Sequence, residues 1–301
     1  MPEGLVPQHP NESTAAAVIV ISSHVVRGSV GNRAAVFALE TLGHPVWAVP
    51  TVVLPWHPGH GRATRIVPPA PEFSALMDDL AESPFLDEVA AVLTGYLGDA
   101  AQAPAIARLI DAVKARNPDA LIVCDPVIGD AGGLYVPEAT ATAIRDHLLP
   151  RAGLATPNRF ELEWLAGARS AGNGELMRMA AALGVPRMLV TSAHAMMDKA
   201  QANLLVSARR AVLAEHRHVD GAPNGPGDLT AALMTGRLLS GQDEESALQA
   251  VTSSVFEVLA RSVKAGADEL RLEAEAHSLI RPMAMVTMRQ LARPAPKRAK
   301  P

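Results

Sequence analysis

The 301-residue chain has one cysteine, Cys124, and only 3% aromatic residues. A single thiol excludes an internal disulfide and any cysteine-based zinc cage, and it suits a reducing, cytoplasmic setting. Positive charge is not in excess, since 27 Lys plus Arg stand against 31 Asp plus Glu. No polybasic surface for nucleic acid or anionic lipid follows from that balance, and a small neutral or anionic metabolite is the easier partner. Long apolar runs are missing too. The stretch Ala15 to Ile21 is far short of the roughly 20 residues that span a bilayer, and no basic segment precedes it as in a signal peptide. No lysine follows a glycine, so there is no Gly-Lys-Ser/Thr phosphate loop. Gly-x-Ser-x-Gly is absent, and Gly28-Ser29-Val30-Gly31-Asn32 has the wrong spacing for a dinucleotide fingerprint. The pairs His57/His60 and His216/His218 are too few for zinc, which needs three or four converging ligands.

With 49% apolar residues the chain can bury a large core. Residues 1–14 and the basic, proline-rich tail 292–301 are expected to fray around a domain spanning 15–291. Within it, short β-branched runs at 16–22, 46–53, 89–94, 120–125, 153–157 and 187–191 alternate with helical patterns. The helices are expected near 31–42, 72–82, 101–116, 138–148, 159–167, 173–184, 228–240, 243–264 and 268–280, with a β-hairpin over 203–218. Alternating strand and helix predicts an α/β fold, a central, mostly parallel sheet with helices on both faces. Polar residues stand at the strand ends: Ser22, Ser23, Thr51, Thr94, Asp125, Thr156, Asn158, Thr191 and Ser192. Open parallel sheets bind ligands at that edge, where the following helices point their amides.

The strongest local signal is Asn224-Gly225-Pro226-Gly227-Asp228 ahead of an apolar helix. Its glycines allow a tight turn, and the first helical amides would form an anion hole. Asp228 could be a helix cap or a base beside a phosphoryl group. Asp125 and Asp130, with Gly129 between them, could hold hydrated Mg²⁺ or end a strand in an ordinary turn. Thr156 to Glu161 resembles a capping box. Pro55 to Gly61 has the hinge residues of a lid.

Taken in order, Ser23 to Ala35, Thr51 to His57, Thr94 to Gly98, Cys124 to Asp130 with Tyr135 to Glu138, Thr156 to Glu161 and Gly225 to Asp228 resemble the signature of pyridoxal kinases in the ribokinase-like superfamily. The likeness spans roughly residues 16–280. It implies ATP-dependent phosphorylation of the 5′-hydroxymethyl group of pyridoxal, extending to pyridoxine and pyridoxamine. Alternatives are a kinase for another hydroxymethyl heterocycle such as hydroxymethylpyrimidine, or a poorly catalytic vitamer-binding protein. The resemblance makes Asp228 the base and gives the anion hole to Gly225, Pro226 and Gly227. It gives substrate contacts to Ser23, Thr51, His57, Pro58, Tyr96 and Asp228. To ATP it gives Asp125, Thr156, Asn158, Glu161, Thr191, Ser192, Val219, Asp220 and Gly221. Asp125, Asp130 and Glu161 would serve Mg²⁺, a monovalent cation such as K⁺ is allowed, and a homodimer is implied. Two features depart from the family. Pro58 and His60 replace lid residues that are often Thr and Tyr, and Pro226 replaces Thr or Val. Proline lacks an N–H, and losing one oxyanion-type donor can cost ~100-fold in rate.

Overall fold

The computed structural model describes residues 16–292, so the expectations for 1–14 and for the tail beyond 292 lie outside the described residues. The chain runs β1 (Ala17–Val25), α1 (Asn32–Thr41), β2 (Val46–Leu54), α2 (Ala70–Ala81), β3 (Val89–Thr94) and α3 (Gln102–Arg116). It continues through β4 (Leu121–Cys124), the short β5 (Gly129–Asp130) and β6 (Gly133–Leu134), α4 (Glu138–Ala143), β7 (Leu154–Ala155), α5 (Arg159–Ala166) and α6 (Asn173–Ala182). The last part holds β8 (Arg187–Ala193), β9 (Ala200–Ser207), β10 (Ala211–Arg217), α7 (Pro226–Leu239), α8 (Glu244–Lys264), α9 (Ala276–Ile280) and β11 (Thr287–Gln290).

Nine strands form one sheet in the order β11-β10-β9-β8-β7-β4-β3-β1-β2, and β5 and β6 form a separate ribbon. The pairings from β2 through β1, β3, β4 and β7 to β8 are parallel, and β9, β10 and β11 add on antiparallel. The run Val18 to Ile21 in β1 shows why the apolar strands do not alternate with polar residues. Ile19 and Ile21 face one core with Phe73, Ile106 and Ile110, whereas Val18 and Val20 face another with Leu39, Leu233 and Val251. A sheet covered on both sides needs apolar residues at every position. Each of these four side chains is fully buried, a contribution of roughly 1.5–3 kcal/mol apiece.

The six parallel strands fall where the apolar runs predict them. Three differences have physical causes. The expected helix at 268–280 forms only over Ala276–Ile280, because the segment before it is drawn onto the loop after β1: Asp268 takes Arg27 in two hydrogen bonds, and Leu270 O accepts from Ser29 Oγ at 2.8 Å. The helix expected to continue to 148 passes into a wider turn at Ile144–Leu148 ahead of Pro150. Strand β11 went unforeseen, since Thr-Met-Arg-Gln lacks an apolar period; it is held by Arg289 Nε, 2.8 Å from the buried Glu215 carboxylate.

Among the described residues no helix is long and apolar enough to cross a membrane. Cys124 is buried at the end of β4, and burial pushes its thiol up to about 12. The native protein is therefore expected to stay unreactive toward a thiol reagent at neutral pH and to titrate one thiol once denatured. Rapid native labelling would place Cys124 in an accessible site.

Candidate functional site

A cleft of about 640 Å³ opens at the carboxyl edge of the parallel strands. One wall carries Ser23, Tyr96, His57 and Pro58, and the opposite wall carries Asp125, Thr156, Asn158, Glu161, Thr191 and Ser192. Between them lie Asn224 to Asp228, and Asp130 stands at the same opening. Most residues expected from sequence thus meet in one place.

Local structure explains how each arrives. The pairing of β1 with β2 slips between Ser22 and His24, an irregularity of the kind that re-aims a side chain, and Ser23 falls there. Thr51 does not line the cleft. It lies fully buried and donates from Oγ1 to Tyr96 O at 2.7 Å, while Ser22 Oγ accepts from Tyr96 N at 3.1 Å, so Thr51 fixes Tyr96 from behind. Val219, Asp220 and Gly221 also stand outside the lining, on the turn after β10.

Helix α7 begins two residues earlier than expected. Gly225 is its N-cap at φ 100°, and Pro226 takes the first helical position, where a missing N–H breaks no helical bond. A Cβ on Gly225 would come within 2.4 Å of Ser29 O, so no larger residue fits. Asp228 is consequently not the cap but stands in the first turn. Burial raises its carboxyl pKa, and the amides of Gly31 and of Asp228 itself pull it back. Since Gly31 is the N-cap of α1, two helix starts converge on this carboxylate.

Asn158 and Glu161 do form the capping box. Asn158 Oδ1 accepts from Glu161 N at 2.9 Å, and Glu161 Oε2 accepts from Asn158 N at 2.8 Å. The other oxygen, Oε1, accepts from Ile128 N at 2.8 Å and from Gly129 N at 3.4 Å, while Asn158 Nδ2 donates to Gly129 O at 2.8 Å. These bonds hold Val127 at φ 45°, a left-handed backbone rare for a β-branched residue and costing of order 1–3 kcal/mol. Val127 lines the cleft as a result.

Burial pushes Glu161 up to about 7, with Asp228 adding repulsion against the pull of the three amides. Asp125 is raised well above the usual carboxylate range by burial and then by Glu161 and Asp228. The Thr156 hydroxyl eases the Asp125 charge, yet Thr156 Oγ1 has no hydrogen bond of ordinary geometry and is buried. Among the described residues no three His, Cys, Asp or Glu side chains gather into a ready-made metal cage. The trio Asp125, Asp130 and Glu161 is not one, because Asp130 Oδ1 turns to Gly132 N at 2.7 Å and both Glu161 oxygens hold amides. One member of each histidine pair has another partner. His60 Nε2 lies 2.8 Å from Glu269 Oε1, and His216 stacks on Phe256 at 4.8 Å.

Of the lining residues that sequence reasoning missed, Val127 and Tyr135 among them, Arg65 is the charged one. It donates to Gly98 O and reaches Tyr96 Oη at 3.4 Å, placing a guanidinium beside Tyr96 in the cleft lining. Its only signal was a basic residue four positions after the glycine-rich turn at 59–61.

The architecture and the site together define the class: residues 63–273 match the family described as phosphomethylpyrimidine kinase, in keeping with a ribokinase-like kinase. Within that class the chain belongs to the pyridoxal kinase family. It is 37% identical over 287 residues to the pyridoxal kinase PdxY of Rubrobacter xylanophilus, covering 91% of this chain and 97% of that one. It is 40% identical over 265 residues to the pyridoxine/pyridoxal/pyridoxamine kinase of Bordetella bronchiseptica, covering 85% and 92%. The pyridoxal kinase of Leishmania donovani, solved in complex with ADP and pyridoxamine, superposes with a TM-score of 0.85 at 26% identity, over 92% of this chain and 100% of that one.

Carboxyls with raised folded pKa values stabilise the fold while protonated, and this contribution is lost as pH rises from the ordinary 4.5 of Glu161 toward about 7. The ligand-free protein should therefore be less stable in urea at pH 7 than at pH 5, and Asp125→Asn should narrow the gap. An unchanged gap in that variant would remove Asp125 from the repelling cluster.

Proposed function

We propose that this protein is a pyridoxal kinase, transferring the γ-phosphoryl group of ATP to the 5′-hydroxymethyl group of pyridoxal, and of pyridoxine and pyridoxamine. The observation that carries the reading is the position of Asp228, between the amide-rich starts of α1 and α7 and between two chemically distinct walls of one cleft. Ser23, Tyr96, His57 and Pro58 supply a wall suited to a flat, hydrogen-bonding heterocycle. Burial holds the His57 imidazole below its ordinary pKa, which favours a neutral ring against a neutral substrate. Thr156, Asn158, Thr191 and Ser192 supply the hydroxyl and amide groups of a nucleotide wall, with Val219, Asp220 and Gly221 beyond it for the base.

In the transfer, the substrate oxygen forms its bond to the γ-phosphorus as the bond to the bridging oxygen of the departing ADP breaks. Asp228 takes the hydroxyl proton. Its raised pKa makes it a stronger base than an ordinary aspartate, while the Gly31 amide keeps it available in the ionised form. In a loose transition state the proton leaves late, so positioning and charge neutralisation do most of the work. The amides at the start of α7 face the transferring group. The donor set fits a hydrated Mg²⁺, which prefers one or two carboxylates plus phosphate oxygens. Asp125, whose carboxylate holds no backbone amide, would take it, with Asp130 at the opening and Glu161 acting through charge. Such an ion would neutralise the phosphates and relieve the repulsion among the buried carboxylates. A K⁺ ion would sit toward the Thr156 hydroxyl, whose oxygen lacks a hydrogen bond of ordinary geometry. The span 15–291 is read as one kinase domain, working as a homodimer in the cytoplasm.

Purified protein with ATP and Mg²⁺ should form pyridoxal 5′-phosphate, followed by absorbance, with pyridoxine, pyridoxamine and hydroxymethylpyrimidine in parallel. Preference for the pyrimidine would keep the mechanism and replace the substrate, whereas binding without product would favour a vitamer-binding protein.

Asp228→Asn should lower turnover by ~100- to 10,000-fold with pyridoxal binding largely retained; near-normal turnover would remove Asp228 as the base. Pro226→Thr restores an N–H at the first position of α7 and should hold or raise turnover. A collapse of activity in a folded variant would show that the proline's fixed geometry matters more than the lost donor.

A further inference from the structure

Glu269, in the irregular segment between α8 and α9, joins two parts of the cleft that are far apart in sequence. Its Oε1 lies 2.8 Å from His60 Nε2 and 3.9 Å from Arg27 Nη1, and its Oε2 accepts from Ser29 N at 3.1 Å. The carboxyl is largely withdrawn from solvent, 13% exposed. Gly28 is required for this approach, since a Cβ there would come within 2.6 Å of Oε1.

Each contact leads into the site. His60 closes the turn Pro58–His60, whose neighbours His57 and Pro58 line the cleft. Ser29 sets its carbonyl oxygen against Gly225, the N-cap of α7, and two residues later Gly31 supplies the amide that faces Asp228. A single carboxylate therefore ties the lid to the loop that walls the anion hole.

We propose that Glu269 is a positioning residue, latching the lid through His60 while it holds the Arg27–Ser29 loop in register with Gly225. The proposal rests on the pyridoxal kinase reading for its kinetic arm only. In the ligand-free protein, His60 N and Gly61 N are hydrogen-bonded within the lid turn, to His57 O at 2.9 Å and Pro58 O at 3.0 Å. Their hydrogen exchange reports lid closure without any substrate.

His60→Ala and Glu269→Ala are both expected to speed exchange across residues 57–61 by about tenfold. Each should raise KM for pyridoxal by ~10-fold. His60→Ala should leave kcat nearly unchanged, and KM for ATP should stay the same in both variants. The double variant should bind pyridoxal no worse than Glu269→Ala alone, because the two substitutions remove one interaction. Glu269→Gln, which keeps an acceptor oxygen, should recover most of the loss. Unaltered exchange in the single variants, or KM effects that multiply in the double variant, would overturn the latch. Absence of turnover on pyridoxal by the unmodified protein would instead overturn the functional reading, and the exchange measurement would still decide the latch. If Glu269→Ala does not fold, Glu269→Gln and His60→Ala decide it by the same exchange readout.

Discussion

Glu161 divides its two oxygens between the amide of Asn158, at the start of α5, and the amides of Ile128 and Gly129, after β4. This exchange binds the ends of two neighbouring strands and forces Val127 into a backbone that it would not otherwise adopt. It also keeps a carboxylate buried beside Asp125 and Asp228, where Glu161 and Asp228 both raise the pKa of Asp125 and Asp228 raises that of Glu161. A helix cap that could have been satisfied by surface residues is thus built into the floor of the cleft. The repulsion would be relieved by a cation held among these carboxylates in the working complex.

Two helix starts supply the opposite polarity. The N-caps of α1 and α7 are glycines with positive φ, and each is packed so closely that a Cβ would collide with backbone: Gly31 with Ser23 O at 2.3 Å, Gly225 with Ser29 O at 2.4 Å. The loop after β1 is therefore wedged between Ser23 and the start of α7. Asp228 stands where these helix starts meet, and its basicity is the balance between burial, which raises its pKa, and the amides of Gly31 and of Asp228 itself, which lower it.

The sequence pattern made the sheet readable because both faces of β1, β3 and β4 are covered, which leaves uninterrupted apolar runs. The site was readable where its residues adjoin strand ends or share one short motif, as at Gly225 to Asp228 and Asn158 to Glu161. Asp228's place in the first turn was not, since a proline two residues earlier had to be recognised as the first helical position. The tie between Glu269 and His60 spans 209 residues, and no local pattern announces a partner at that distance. The lost half of the helix expected at 268–280 has the same origin: its residues carry ordinary helical patterning but are recruited to a loop far away in sequence. Arg65 lacked any periodic context, and β11 depends on pairing with β10 rather than on its own apolar content.

The outer margin of the sheet also bears on how the protein survives in concentrated solution. Strand β2 ends the sheet on one side, yet Val53 and Ile66 exchange both N–H···O bonds, at 2.8 and 3.0 Å, so the chain leaving the lid folds back over that margin. Pro50, within β2, has no donor to offer a neighbouring molecule. On the far side β11 is four residues long and carries an arginine. Short, proline-bearing or self-covered margins deny other chains a template for strand addition. The segment that shapes the cleft thereby also shields a nine-stranded sheet from growing into an aggregate.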